Sequence, residues 1–317
     1  MAVTDDLHAV ADLIGDAFDI ADIEVSDLLK ASPFVNLLPM EEASNGTVHK
    51  YVKETGAPVV GFRAPNAGRD LDSSDDTAVT VDLKALDFTW QVDVLVAEAW
   101  RRGREAYIAR EGLRHLKAAL VKFEKQVING TTGAGDAAGF AGFRQATTVD
   151  ALADAMVVNA AGTTAATASS VWAVRIAPDG VCGVYKGPSG FELGETTVQQ
   201  RVVDPGTDNK TFPTYYTPGF AWMGLQVGSA YDIGRIANVT ADSGKGMTDA
   251  LAYTLLSKFP VGFGPTHWLM SRRSVAQLRA SRTATNATGA PAPFPTEIEG
   301  IPIVVTDAIA DTEALLT

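Results

Sequence analysis

A chain of 317 residues with 46% hydrophobic and 20% charged side chains has the composition of a packed globular protein, which excludes disorder of the whole chain. Its formal net charge of −12 argues against broad contact with nucleic acid, because phosphate binding needs cation-rich surfaces. The single cysteine, Cys182, excludes an intramolecular disulfide, and no apolar run approaches the roughly 20 residues that span a bilayer.

The start MAVTDDLHAVADLIGDAF lacks the cationic region of a signal peptide, so synthesis and retention in a cytoplasm are expected. Residues 5–30 read as an amphipathic helix with Leu7, Val10, Leu13, Ile14 and Phe18 on its apolar face. Eight carboxylates from Asp5 to Asp27 meet no Lys or Arg before Lys30, and they form either a solvated face or an arm that docks on a cationic surface. Pro33 and Pro39 in SPFVNLLPM end the helix and turn the chain into an extended segment.

From Asn45 to Glu98 the period changes. GTVHKYVKE and AVTVDLKALDFTWQVDVLVAE alternate as half-buried strands do, and the Gly-, Pro- and Asp-rich GAPVVGFRAPNAGRDLDSSDD between them makes a long hairpin with a mobile tip. A loop of that length points to ordering by something outside the subunit fold. A helix follows over roughly Ala97–Ile128, on the order of 45 Å long at the usual helical rise. Its segment RRGREAYIAREGLRHLKAALVKFEK, residues 101–125, carries eight Lys and Arg against three Glu, a local charge of +5. Val96, Trp100 and Tyr107 share one stripe, whereas Leu113, Leu116, Leu120, Phe123 and Val127 fall on nearly the opposite one. One helix packing on two bodies is therefore expected, with a break at Gly112 as the alternative.

Beyond it, NGTTGAGDAAGFAGFRQA reads as a loop and VDALADAMVVNAAG as a short helix. SSVWAVRI, GVCGVYK, QQRVV, FAWMGLQVG, IGRIANVT and IPIVVTDA read as strands, and MTDALAYTLLSKF and SRRSVAQLRAS as helices, which makes the class α+β.

Motifs for chemistry mostly fail. GTTGAGDAAG follows a helix where a phosphate loop follows a strand, and DSGKGMT has Gly-Lys-Gly where a P-loop needs Gly-Lys-Ser/Thr. The four histidines have no metal-ligand spacing, and no G-x-S-x-G elbow occurs. Cys182 sits in an apolar alternating stretch and reads as core filler. Asp70, Asp72, Asp75 and Asp76 resemble a loose calcium loop, but their spacing fails the EF-hand pattern, so a solvated or partner-facing tip is expected.

The order of arm, long hairpin, long helix and mixed body resembles the HK97-like major capsid proteins of tailed bacteriophages. The likeness is carried further by GFAGF at 139–143, APDGVCGVYKG at 177–187, FAWMGLQVGSAYDIGRIANV at 220–239, and WLMSRRSVAQLRAS followed by EIEGIPIVVTDAI. The resemblance implies an α+β, HK97-like capsid fold. In it, residues 1–44 are the N-terminal arm, 45–95 the extended hairpin (E-loop), and 96–145 the spine helix and following loop of the peripheral domain. Residues 146–317 are then the axial domain with the rest of the peripheral domain.

The resemblance further implies a structural protein without enzymatic activity, cofactor or metal, whose copies form hexamers and pentamers of an icosahedral head. That head encloses double-stranded DNA without sequence-specific binding, contacts no membrane, and is assembled in the host bacterial cytoplasm into the virion. The partners implied are further copies of the chain, a portal and a decoration protein. Because only about 40 residues precede the hairpin, scaffolding is expected from a separate protein, with no need of scaffolding as the alternative. Lys50 and Lys53 lie on the hairpin without a matching Asn, so no autocatalytic crosslink is expected. In this fold a hairpin lies across the neighbouring subunit. The acidic tip (Asp70, Asp72, Asp75, Asp76) would then meet cations such as Arg101, Arg104 and Lys117 next door. An encapsulin shell of the same fold, a tail or adaptor component, and a cytoplasmic enzyme remain as alternatives.

Overall fold

The computed structural model describes residues 32–317 other than 71, 101–102, 205–207 and 287–289, so the acidic helix expected over 5–30 lies outside the described residues. In chain order the first strands are β1 (Met40–Glu42), β2 (Val48–Gly56), β3 (Asp75–Asp82), β4 (Lys84–Asp87) and β5 (Trp90–Asp93). Helices α1 (Val94–Glu98) and α2 (Arg104–Asn129) follow, then β6 (Val157–Asn159), β7 (Ser169–Val174), β8 (Val181–Leu193), β9 (Thr197–Asp204) and β10 (Asp208–Thr217). The chain closes with β11 (Gly219–Val227), β12 (Ile233–Val239), α3 (Asp249–Leu256), β13 (His267–Met270), α4 (Arg272–Ala284), β14 (Glu297–Ile298) and β15 (Ile301–Val305).

A mixed sheet in the order β14-β15-β13-β7-β12-β6 forms the centre of the body. Every residue of β7 and β12 is buried, which explains their near-continuous apolar runs, because both faces of the sheet are covered. Val171, Ala173, Ile236 and Trp268 face α3 and α4, where they pack with Leu255, Val275 and Leu278. Trp172, Val174, Ile233 and Leu269 join the larger core with Phe34, Phe123, Phe143 and Met223. Thr248 and Ser271 cap the two helices by accepting from the Leu251 and Ser274 amides. The other sheets are β1-β8-β11-β4, β5-β10-β9 and the hairpin β2-β3.

Three expectations are corrected. The long alternation from 78 to 98 is not one strand: β4 pairs with β11 and β5 with β10, and the buried side chains of Leu83 and Phe88 mark the breaks. The long helix is divided, since α1 ends at Glu98 and α2 starts at Arg104, and no break falls at Gly112. Gly103 has φ 90°, a conformation that favours glycine, whereas Gly112 sits buried within the 26-residue α2, roughly 39 Å long. The change of buried face is nevertheless present: Tyr107 and Ile108 pack with Trp90, Ala97 and Tyr215, and Leu116, Ala119, Phe123 and Val127 with the larger core. Finally, VDALADAMVVNAAG forms turns and β6, not a helix. Asp154 accepts from the Ala151 amide at 2.7 Å in a local turn, and the β-branched pair Val157 and Val158 divides between the two cores along a parallel pairing with β12.

Candidate functional site

The hairpin runs in constant register from Val48↔Asp82 to Glu54↔Asp76, then shifts by one residue to Gly56↔Asp75. Beyond the ladder its two sides stay joined by hydrogen bonds. The Val59 amide donates to Asp72 Oδ2 at 2.8 Å, Arg69 donates to the Val59 carbonyl, and Arg63 donates to the Ala67 carbonyl at 3.0 Å. The Ala67 amide closes onto the Ala64 carbonyl at 3.1 Å, with Pro65 and the positive-φ Asn66 between them, as a type II turn requires. Every described residue from 57 to 78 is exposed, including Asp70, Asp72, Asp75 and Asp76. So are the apolar Val59 at 70%, Val60 at 81% and a fully exposed Phe62.

The root is fastened. His49 is buried, and its Nε2 lies 2.9 Å from Gln226 Oε1. Because the Gln226 amide nitrogen donates to the Pro178 carbonyl, Oε1 must accept from His49; Nδ1 in turn accepts from the Ser44 amide at 3.3 Å. Tyr51 donates to the Val227 carbonyl at 2.8 Å, and burial, with Asp232 adding, pushes its hydroxyl pKa up.

The cations of α2 divide between internal and external roles. Arg104 pairs with Glu105 at 3.4 Å and donates to the Tyr215 hydroxyl, and Arg110 lies 4.7 Å over the Trp100 ring. Arg114 bonds Glu111 at 2.7 Å and Lys122 bonds Asp136 at 3.1 Å. Lys117 is exposed, with no ion pair among the described residues, and Arg101 lies outside them. Arg110, Arg114, Lys117, Val121 and Lys125 follow at spacings of three and four, so they share one helix face. Around Ala118 and Val121 that face forms an open groove rimmed by cations. No ion pair among the described residues joins it to the hairpin aspartates of the same chain, so the structure does not bring the two sets together within one subunit.

Other residues that organise this region escaped the sequence reading. Glu124, 2% exposed, accepts from the amides of Phe34 at 3.2 Å and Val35 at 3.4 Å and from the Thr306 hydroxyl, so α2 clasps the start and the end of the described chain. Burial raises its pKa against the opposing hydrogen bonds. Arg235, buried in β12, donates to Ser170 at 3.0 Å and to the Val149 carbonyl at 3.1 Å, stacks 5.0 Å over Trp172 and faces Glu313 at 3.6 Å. Burial pushes it down to about 10. The loop after α2 is tightly built: a Cβ on Gly142 would come within 2.5 Å of the Gln126 carbonyl, so GFAGF reports close backbone approach.

Two motifs resolve as packing. Cys182 is buried and its thiol is pushed up to about 12, the state of an inert core thiol. In DSGKGMT the Asp242 carboxylate accepts from the Thr163 and Thr164 amides and from the Thr164 and Thr240 hydroxyls, so the segment is a turn tied down by its own carboxylate. Among the described residues no cluster of His, Cys, Asp and Glu could hold a metal ion, and no helix is long and apolar enough to cross a membrane.

A root-anchored hairpin, a long helix and a mixed central sheet in one α+β body define an HK97-like capsid fold. A solved chain of bacteriophage Epsilon15 shares it at TM-score 0.63 and 20% identity, over 88% of each chain. The capsid of bacteriophage JBD30 shares it at TM-score 0.51 and 10% identity, over 88% of this chain and 91% of that one. No curated protein matches the sequence. The family profile described as major capsid protein GP7 matches residues 16–317, and the chain belongs to that family. It is a phage major capsid protein, a structural component of the virion whose copies associate into shells.

Proposed function

We propose that this chain forms hexamers and pentamers that close into an icosahedral head around double-stranded DNA, and that the acidic hairpin tip of one subunit lies on the cationic face of α2 in the next. The observation that carries the reading is the complete exposure of the described residues 57–78, an excursion with no burial partner in its own subunit. Within the cationic set, Arg104 is already committed to Tyr215 and Glu105 and Arg114 to Glu111, so Lys117, with Lys125 beside it, is the principal donor to Asp70, Asp72, Asp75 and Asp76. Arg101 belongs to the same set. Such pairs fix register and speed encounter more than they add affinity, and a shell repeats each many times.

In this reading the domains follow the boundaries given above, with no enzymatic step and no Lys–Asn crosslink through Lys50 or Lys53. The chain is assembled in the host cytoplasm with a separate scaffolding protein, a portal and a decoration protein as partners. DNA is enclosed without base-specific contacts, in keeping with a net charge of −12. The test replaces residues 62–76 with a short Gly/Ser turn. A folded subunit by circular dichroism that forms no shells by electron microscopy is expected, and normal shells from the shortened chain would sink the role of the hairpin.

A further inference from the structure

The acid–base pairing leaves an apolar question open, because Val59, Val60 and Phe62 stand in solvent at the end of the hairpin. Scattered exposed apolar side chains need no explanation, but three on one projecting tip form a patch. We infer that Phe62 is an aromatic anchor that inserts into a cleft on a second copy of this chain, lined by the apolar Leu86, Phe123, Phe140 and Met223 and edged by both charge signs, Lys84 and Asp87 on one element and the paired Lys122 and Asp136 on the other. This inference rests on the reading of the chain as a shell-forming subunit.

The cleft has a volume of about 310 Å³ and lies between β4, α2 and the glycine-rich loop. It cannot receive the tip of its own subunit. Lys84 follows the hairpin root by two residues, whereas Gly56, eight residues out along β2, is already about 26 Å from that root at the usual strand rise. Phe62 lies beyond Gly56, next to the Ala64–Ala67 turn, and is fully exposed in its own subunit.

The two surfaces match at two adjacent points. On the tip, the apolar run is bonded directly to the acidic one through the Val59 amide and Asp72 at 2.8 Å. On the body, the apolar cleft and the cationic face of α2 share Lys122. With Phe62 in the cleft, the aspartates beside it are carried toward Lys117 and Lys125, which selects one orientation. A contact from the tip of one copy to the body of the next is heterologous, so its repetition generates a ring if the rotation closes.

The experiment uses the full chain and the chemical silence of Cys182, which is buried with a thiol pushed up to about 12. Gly61→Cys, which leaves Phe62 in place, and Ala138→Cys, on the exposed lip of the cleft, are combined in one chain and oxidised after assembly. A ladder of disulfide-linked oligomers on a non-reducing gel is expected from the double variant and from neither single one. In parallel, Phe62→Ala should raise the concentration needed for assembly at least tenfold, while Phe62→Leu stays within about threefold of the parent. Particles that assemble but yield no ladder, or a Phe62→Ala chain that assembles like the parent, would overturn the anchor while leaving the shell reading intact. A ladder linking the chain only to an accessory protein would overturn it too. A parent chain that forms no multi-subunit particle with or without its scaffold removes the shell reading and the anchor together.

Discussion

The tip that extends the β2-β3 hairpin and the central sheet solve opposite problems. In β7 and β12 every side chain is buried and even a guanidinium is taken inside with its partners, whereas from 57 to 78 every described side chain is exposed. The sheet spends its apolar surface on the stability of the subunit. The tip holds apolar and acidic surface outward, where only another molecule can cover it. Stability and assembly are thus separable in this chain, and mutations in the two regions should fall into different classes.

The largest effect is expected in the sheet. Trp172→Ala removes a fully buried ring on which Arg235 stacks, and should cost about 3–5 kcal/mol of subunit stability in chemical unfolding. A loss below about 1 kcal/mol would break the contrast.

Glu124→Gln is expected to come next, at about 1–3 kcal/mol, because an amide cannot reproduce the acceptor geometry offered to Phe34, Val35 and Thr306. The pH dependence sharpens this. Burial raises the folded-state pKa of Glu124, so its contribution is fully present below the ordinary carboxylate range and is lost as pH rises through the raised value. Since Gln does not titrate, the stability difference between parent and variant should shrink from acid toward neutral pH, and a difference that grows would contradict the assignment.

Asp242 has the opposite sign. The Thr164 and Thr240 hydroxyls hold it down to about 2, so its contribution is present above the usual carboxylate range and lost as pH falls toward 2. Asp242→Asn should loosen the 161–167 loop, read as faster proteolytic nicking there, with a small change in global unfolding.

The smallest effect on the subunit belongs to the assembly surface. Lys117→Glu should change unfolding free energy by no more than about 0.5 kcal/mol. It should nevertheless slow assembly in light scattering at low salt, with partial rescue by Asp72→Lys in the same chain. High salt should close the gap, since screening then acts within about 8 Å. Assembly at the parental rate would count against the pairing.

Legibility followed the same division. Runs buried on both faces, such as SSVWAV and IGRIANV, were readable because apolar continuity reports burial directly. The hairpin was readable from its turn-rich centre. The strand β10, DNKTFPTYYT, was not, since its polar composition hides a pairing supplied by β5 and β9. The division of the long helix was missed because the feature that forces it is the positive φ of Gly103, while Gly112 advertised a break that packing does not need. Of the site, charge on the tip and on α2 was visible, but Glu124 entered only as one of three Glu in the charge count. The signal available was its place in KFEKQVI, between Phe123 and Val127, and Arg235 within an apolar strand was the same kind of signal.

The clasp at Glu124 also has a history in time. Its partners lie 90 residues before it and 182 residues after it, so during synthesis the hairpin and α2 are complete long before Thr306 exists. At about 5–20 residues per second, roughly ten to forty seconds separate the carboxylate from its last partner. For that interval a newly made subunit presents its sticky tip while its own closing bond is missing. A nascent chain of this protein therefore differs from a finished one at the clasp and not at the tip, which is exposed in both.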